Sequence, residues 1–325
     1  MCNGMGLKYI PPHMRELLSE MPTNWGKWGP DDEVGALNYL TPEEVLRGKA
    51  AISSGKTFTL QIPIGHPHGD PMWPGRRQAH RMNLMDKGHF LCGYGPEAPG
   101  SHEYADDLII MYLQGSTQYD ALGHVWYGDQ IYNGYDARST VGAMRKASIL
   151  PIAEKAIAGH GVLIDMARHR NKPVLERGET FDHTDLMAAA AAQNITISKR
   201  DILLIHTGWV GSFYEKDPDE FYKDYLEPGL TFSPDLVNWF KDMEIPNLVT
   251  DTLANEVTYH PESGVMFPLH CALMRNLGIA FTEVAALDEL ANDCAQDGQY
   301  GFFYTAAPLK VVGGTGAPVN PLVVK

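Results

Sequence analysis

The sequence predicts a single mixed α/β domain, and three observations carry that prediction. Short apolar runs such as "DILLI" and "GVLIDM" have the length and content of buried strands. Segments with helical spacing of apolar residues alternate with them, the pattern of a sheet covered by helices. No Pro/Ser/Gly linker interrupts the 325 residues. The chain 1–325 therefore reads as one domain with a mixed sheet, and residues 1–50 as an N-terminal extension and helix packing on it.

The elements follow in order. "TPEEVLRGKAAI" opens the first clear helix: Thr41 can cap it, Pro42 takes the first helical position and Glu44 closes a capping box. "KTFTLQIPI" is β-branched and apolar, hence a strand. Residues 65–100 are rich in His, Gly, Pro and Met. So long a connection suggests a functional lid. "DLIIMYL" reads as a buried strand, and Val162–Met166 as another. "FDHTDLMAAAAAQN" is a helix capped by Asp182 or Thr184, its alanines good helix formers. "KRDILLIHTGW" is a strand ending in a polar turn, and "SPDLVNWFKDMEI" a capped amphipathic helix. "NLVTDT" is a short strand, "LHCALMRNLGIAFTEV" a helix running into a strand, and "GFFYTAAPLKVV" a further strand before the turn "GGTGAP".

Composition narrows the function classes. Apolar residues make up 44% and charged residues 20%, the balance of a soluble globular protein. A net charge of −14 leaves no basic field for nucleic acid or anionic lipid. Cys2, Cys92, Cys271 and Cys294 form no CxxC pair, which excludes a zinc ribbon and fits reduced thiols in a cytoplasmic protein. No apolar run reaches the ~18 residues of a membrane span. "MCNGMGLKYIPPHMREL" lacks a signal-peptide pattern and is not a myristoylation signal.

The chemistry-bearing stretch is "QGSTQYDALGH", Gln114 to His124. Asp120 and His124 stand four apart, so on a helical turn they share a face and can grip an ion or pass a proton. They can equally pin a loop. Gln118 and Gln114 add two more polar groups within eleven residues, which favours a site. His206 ends a strand, where catalytic groups project, or is a satisfied semi-buried histidine. His66, His68, His80 and His89 lie in the long loop as surface residues or one substrate contact. "GGTGAP" lacks the features of a P-loop, and "HTGW" those of a serine elbow.

Taken together, the stretches resemble the metal-dependent cyclase superfamily, which includes kynurenine formamidase, isatin hydrolase and trans-dienelactone hydrolase. Its loop H-x-G-T-H-x-D-x-x-x-H aligns in register with "QGSTQYDALGH". "NWGKWGPDDEVGALNYLTPEEV", "GHGVLIDMARH", "DILLIHTGW", "VTDT", "PLHCALMRNLGIAFTEVAALDELA" and "GGTGAPVNP" are similar to its other blocks, covering Trp25 to Pro321. The resemblance implies an α/β fold with a swivelling β/β/α core, usually a homo-oligomer, here a homodimer or homotetramer. In formamidase-like members the loop histidines help hold two metals, and His270 and Glu283 fall on later ligand positions. In isatin hydrolase-like members one Mn is held by the loop histidines and aspartate, and His124 falls on the acid/base.

This chain has Gln114 and Gln118 where the first two loop histidines stand. Amide oxygens suit harder cations, so Mn²⁺ or Mg²⁺ gains on Zn²⁺, with Mn²⁺ preferred. Only Asp120 and Glu283 are found to offset bound charge, which favours one divalent ion. The expected metal set is Gln114, Gln118, Asp120 and His270, with His124 and Glu283 catalytic. The expected activity is metal-dependent hydrolysis of a C–N amide or C–O lactone bond in a small cyclic substrate by a metal-activated water. An aryl formamidase and a catalytically silent binding protein are the rivals. Trp25, Trp28, Trp73 and Trp126 can line a pocket for a flat ring, or pack the core.

Overall fold

The structure, a computed structural model, describes residues 12–325. The reading of residues 1–11 lies outside the described residues. In chain order the strands are β1 (Thr57–Thr59), β2 (His80–Met85), β3 (Asp106–Ile110), β4 (Gln118–Asp120), β5 (Ile157–Asp165), β6 (Thr180–Phe181), β7 (Ile202–His206), β8 (Gly229–Leu230), β9 (Asn247–Thr250), β10 (Ala280–Glu283), β11 (Gly301–Ala306), β12 (Gly316–Pro318) and β13 (Leu322–Val324). Nine of them form one sheet in the order β1-β13-β11-β5-β7-β9-β10-β4-β12. The centre, β5-β7-β9-β10, is parallel, and both flanks are antiparallel. Parallel strands are covered on both faces, which is why β7 and β9 are buried at every position and read as near-continuous apolar runs.

The helices largely follow the sequence. Asp182 caps His183–Ala192 by accepting from Thr184 and Asp185, and the Asp185 side chain returns the bond to the Asp182 N–H. Ser233 caps Pro234–Asp242, which buries Leu236, Val237 and Phe240. Pro42–Ala50 starts where expected, but the Thr41 side chain makes no cap bond. Glu44 is instead drawn to Arg47 at 2.7 Å, so the capping box is absent. This helix lies close on β5: a Cβ on Gly48 would sit 2.4 Å from the Gly159 carbonyl. The helix expected before β10 is a π-helix, His270–Asn276, a form that often marks functional sites.

One strand departs from expectation. "DLIIMYL" is not buried: Ile109 is 47% and Ile110 63% exposed. β3 pairs with β2, from within the supposed lid, as a separate two-stranded ribbon outside the main sheet. The apolar content of a run shows its strand propensity, not whether a second layer covers it. Among the described residues no helix is long and apolar enough to cross a membrane.

Candidate metal centre

Side chains alternate along a strand, so Gln118 and Asp120 of β4 share one face and Tyr119 takes the other. Tyr119 meets the Tyr304 hydroxyl in the core at 3.0 Å. The expected helical turn is not formed: Asp120 ends β4, and His124 closes the following turn, its N–H donating to the Ala121 carbonyl. Pairing with β10 sets Glu283 opposite Gln118. Gln118 Nε2 donates to Glu283 Oε2 at 2.8 Å, and Asn255 Nδ2 to Oε1 at 3.1 Å. His270 Nε2 lies 3.2 Å from Glu283 Oε1. Asp120, His270 and Glu283, all buried, each offer one ligating atom, and these lie within 4.8 Å of one another.

A second layer orients the first. Glu256 accepts from the Leu269 and His270 backbone N–H groups at 2.7 Å each, and its Oε1 lies 2.7 Å from His270 Nδ1. In that contact Nδ1 carries the proton and donates it to the Glu256 carboxylate, which turns Nε2 toward Asp120 and Glu283. Burial alone would lower His270, but Glu256 and Glu283 outweigh it and push it up to about 10. Burial raises Asp120, Glu256 and Glu227. Asp120, Glu227, Glu256 and Glu283 thus surround one imidazole, whose proton supplies positive charge that a divalent ion would take over. Two further atoms fit the same demand: Gln118 Oε1 and Asp120 Oδ1 are buried without a hydrogen-bond partner.

Gln114 has partners of its own: its Nε2 donates to Thr315 Oγ1 at 3.0 Å, and its backbone oxygen accepts from Arg76 Nη1 at 2.8 Å. One expectation needs revision: the premise that only Asp120 and Glu283 offset bound charge fails, because Glu227 and Glu256 add two buried carboxyls. Neither lies in a recognisable motif; the polar cluster of "DTLANEVTYH" after β9 was the available signal for Glu256. Glu283, expected to be catalytic, stands in the potential ligand group.

His124 is half-buried beside this group. Burial lowers its pKa, the Asp120 charge opposes that, and Arg76 and His270 reinforce it. The result is a neutral imidazole next to a carboxylate-rich centre, suited to accept a proton. Arg76 comes from the long 65–100 connection and was not signalled by sequence.

The remaining histidines sit elsewhere. His206 is clamped by Asp165 at 2.9 Å and Asp288 at 3.1 Å, the satisfied semi-buried case. His68 bonds the Lys216 carbonyl, His66 packs on Tyr214, His80 lies on β2, and His89 bonds Asp86 at a helix start. Of the four tryptophans expected to line a pocket, Trp25 bonds the Arg275 carbonyl, Trp28 packs on Tyr39 and Trp126 is exposed. Trp73 lines an aromatic pocket.

The second layer is testable. Glu256→Gln removes the charge that fixes His270, and divalent-metal affinity is expected to fall by about 10–100-fold with the fold intact. Competition titration with a chromogenic chelator measures this, and an unchanged affinity would separate Glu256 from the centre.

Residues 58–257 match the family described as Cyclase. A crystal structure described as a novel cyclase superposes with a TM-score of 0.85 at 36% identity, over 97% of this chain and 100% of that chain. Isatin hydrolase A from Labrenzia aggregata, bound to benzyl benzoate, gives 0.59 at 17% identity, over 85% of this chain and 94% of that one. Isatin hydrolase A from Ralstonia solanacearum gives 0.59 at 16% identity, over 82% and 91%. At such identities the likeness is one of fold. No curated protein matches the chain. The match over residues 58–257, with the 36% identity along nearly the whole length of a cyclase structure, shows that the chain belongs to the Cyclase family.

Proposed function

We propose that the protein is a metal-dependent hydrolase of a C–N amide or C–O lactone bond in a small cyclic substrate. The observation that carries this reading is the buried Asp120–His270–Glu283 group, with Gln118 Oε1 and Asp120 Oδ1 left unpartnered beside it. Asp120, Glu283, His270 Nε2 and Gln118 Oε1 would hold one divalent ion. Three oxygens and one nitrogen favour a hard cation, Mn²⁺ over Zn²⁺. A single ion now rests on donor geometry rather than on charge, since Glu256 is engaged by His270 and Leu269. Such an ion supplies Lewis acidity to a carbonyl and a lowered pKa to water. The chain's own part falls to His124, which takes the proton lost by the attacking water and returns it to the leaving nitrogen or oxygen. Glu256 keeps His270 in the required tautomer throughout.

Isatin, a cyclic amide fused to an aryl ring and the namesake of two similar structures, is the first substrate to try, with dihydrocoumarin as a lactone and formanilide as an open-chain amide. Hydrolysis of a cyclic substrate that stops with chelator and returns with Mn²⁺ supports the reading. Turnover of formanilide alone supports an aryl formamidase. No hydrolysis by metal-loaded protein would leave a binding protein on this fold.

The two glutamines can be separated. Gln118→His puts a nitrogen where the unpartnered amide oxygen stands and is expected to shift preference toward Zn²⁺ over Mn²⁺ by roughly tenfold or more. Gln114→His, held at Thr315, is expected to leave the ratio unchanged. Equal shifts in both, read by competition titration, would return Gln114 to the centre.

A further inference from the structure

The arm built on the β2–β3 ribbon, residues 80–112, takes no part in the mechanism above. It stands outside the main sheet, and β2 lies in the long connection expected to be a lid. Its register sets Met82 opposite Leu108 and His80 opposite Ile110. Side chains alternate along a strand, so Met82, Leu84, Leu108 and Ile110 share one face, and Arg81, Asn83, Asp107 and Ile109 the other. The second face is the more polar one. Arg81 Nη1 donates to Asn83 Oδ1 and to Asp107 Oδ2, both at 2.7 Å. Arg81 and Ile109 border a cleft of about 320 Å³ shared with Ile64 and Gly65 of the body.

The apolar face is left to solvent. Met82 is 48%, Leu84 52% and Ile110 63% exposed, and Leu91, Tyr94, Tyr104 and Tyr112 on the same arm are exposed as well. At roughly 150–250 Å² for a fully exposed large side chain, these seven leave on the order of 800 Å² open to water. The largest apolar patch on a monomer is about 300–600 Å². One partner's share of a standard protein interface is about 800 Å². A lone two-stranded ribbon is also marginal in water and is stabilised when a further layer covers its apolar face.

The arm's chemistry suits a second copy of the chain. Its charges are largely paired within the arm: Arg81 with Asp107, Lys87 with Glu103 and His89 with Asp86. Two chains of net charge −14 repel each other. An arm whose ions already have partners lets them meet without setting like charges face to face. In a two-fold contact each patch meets its own copy, so the patch must complement itself. An apolar face does so and a charged one does not. A surface of this size, uncovered in every free chain, also needs a partner that is present whenever the chain is made. A second copy meets that condition at any level of expression.

We propose that the β2–β3 arm is a dimer contact, in which the face of Met82, Leu84 and Ile110 packs on the same face of a second copy. The contact stands whether or not the protein is a hydrolase.

Sedimentation equilibrium of the full chain tests the proposal. The wild type is expected at twice the chain mass at micromolar concentration. Met82→Glu with Ile110→Glu sets like charges face to face across the contact, and the dissociation constant is expected to rise by roughly 100-fold or more. Both positions face solvent in the single chain, so its circular dichroism spectrum should stay that of the wild type. Asn83→Glu, beside Arg81 on the opposite face, is expected to leave the dimer intact. Met82→Ser with Ile110→Ser decides the matter if the double Glu variant fails to fold, with a rise of roughly tenfold or more. A wild type that stays monomeric up to its solubility limit overturns the proposal, and binding of those monomers to phosphatidylcholine vesicles would assign the face to a lipid surface instead. A dimer that survives the substitutions on the apolar face, or that Asn83→Glu dissociates equally well, overturns it too.

Discussion

Asp120→Ala is expected to yield a folded protein that retains no divalent ion through dialysis and has no measurable hydrolase activity. Asp120 is fully enclosed, ends β4 on the same face as Gln118, and has one oxygen that nothing in the chain satisfies. Its loss should weaken metal binding beyond the 10–100-fold typical of a residue that only orients a ligand. The variant also carries an opposite effect on stability. Asp120, Glu227, Glu256 and Glu283 repel one another in a buried place when no cation is added, and burial pushes Asp120 and Glu256 upward. Asp120→Asn relieves part of that repulsion at almost constant volume, so metal-free Asp120→Asn should melt above metal-free wild type. Calorimetry of both proteins after chelation checks this. A lower melting temperature for the variant would mean that Asp120 braces the fold rather than waiting for an ion.

His124→Ala should separate chemistry from metal binding. The imidazole is neutral by burial and sits beside Asp120 without a side-chain hydrogen bond among the described residues. General acid–base catalysis contributes about 10²–10⁴-fold, so kcat is expected to fall by that factor. Metal content should remain close to wild type, because His124 is outside the group of mutually close ligating atoms. Measuring kcat together with metal per chain tests both halves. A variant that loses its ion along with its activity would make His124 a ligand.

Much of this was legible in the sequence, for identifiable reasons. The parallel strands β5, β7 and β9 announce themselves because burial on both faces leaves apolar runs bounded by turns. The caps at Asp182 and Ser233 are local, so local sequence predicts them. Thr41 and Glu44 have the same local signature, yet Arg47 competes for Glu44 and the box does not form. Ile109 and Ile110 were misread because their exposure depends on where the β2–β3 ribbon sits, which no window of sequence contains. In the site, Gln118 and Asp120 stood out as a polar cluster, His270 and Glu283 came from the resemblance to a family, and β4–β10 pairing sets Glu283 opposite Gln118. Glu256 and Glu227 were missed because a carboxylate that orients a histidine, or lines a pocket, needs no fixed spacing from it. Gln114 and Gln118 look equivalent on paper, but Thr315 engages only Gln114.

On the proposed reading, Asp120, His270 and Glu283 form the centre at which one divalent ion binds. Anomalous X-ray scattering from crystals equilibrated with Mn²⁺ tests it most directly. One strong peak per chain is expected, within bonding distance of Asp120, His270 Nε2 and Glu283, with the Gln118 oxygen beside it and Gln114 still on Thr315. A fully active protein with no peak there, or with its peak elsewhere, would contradict it.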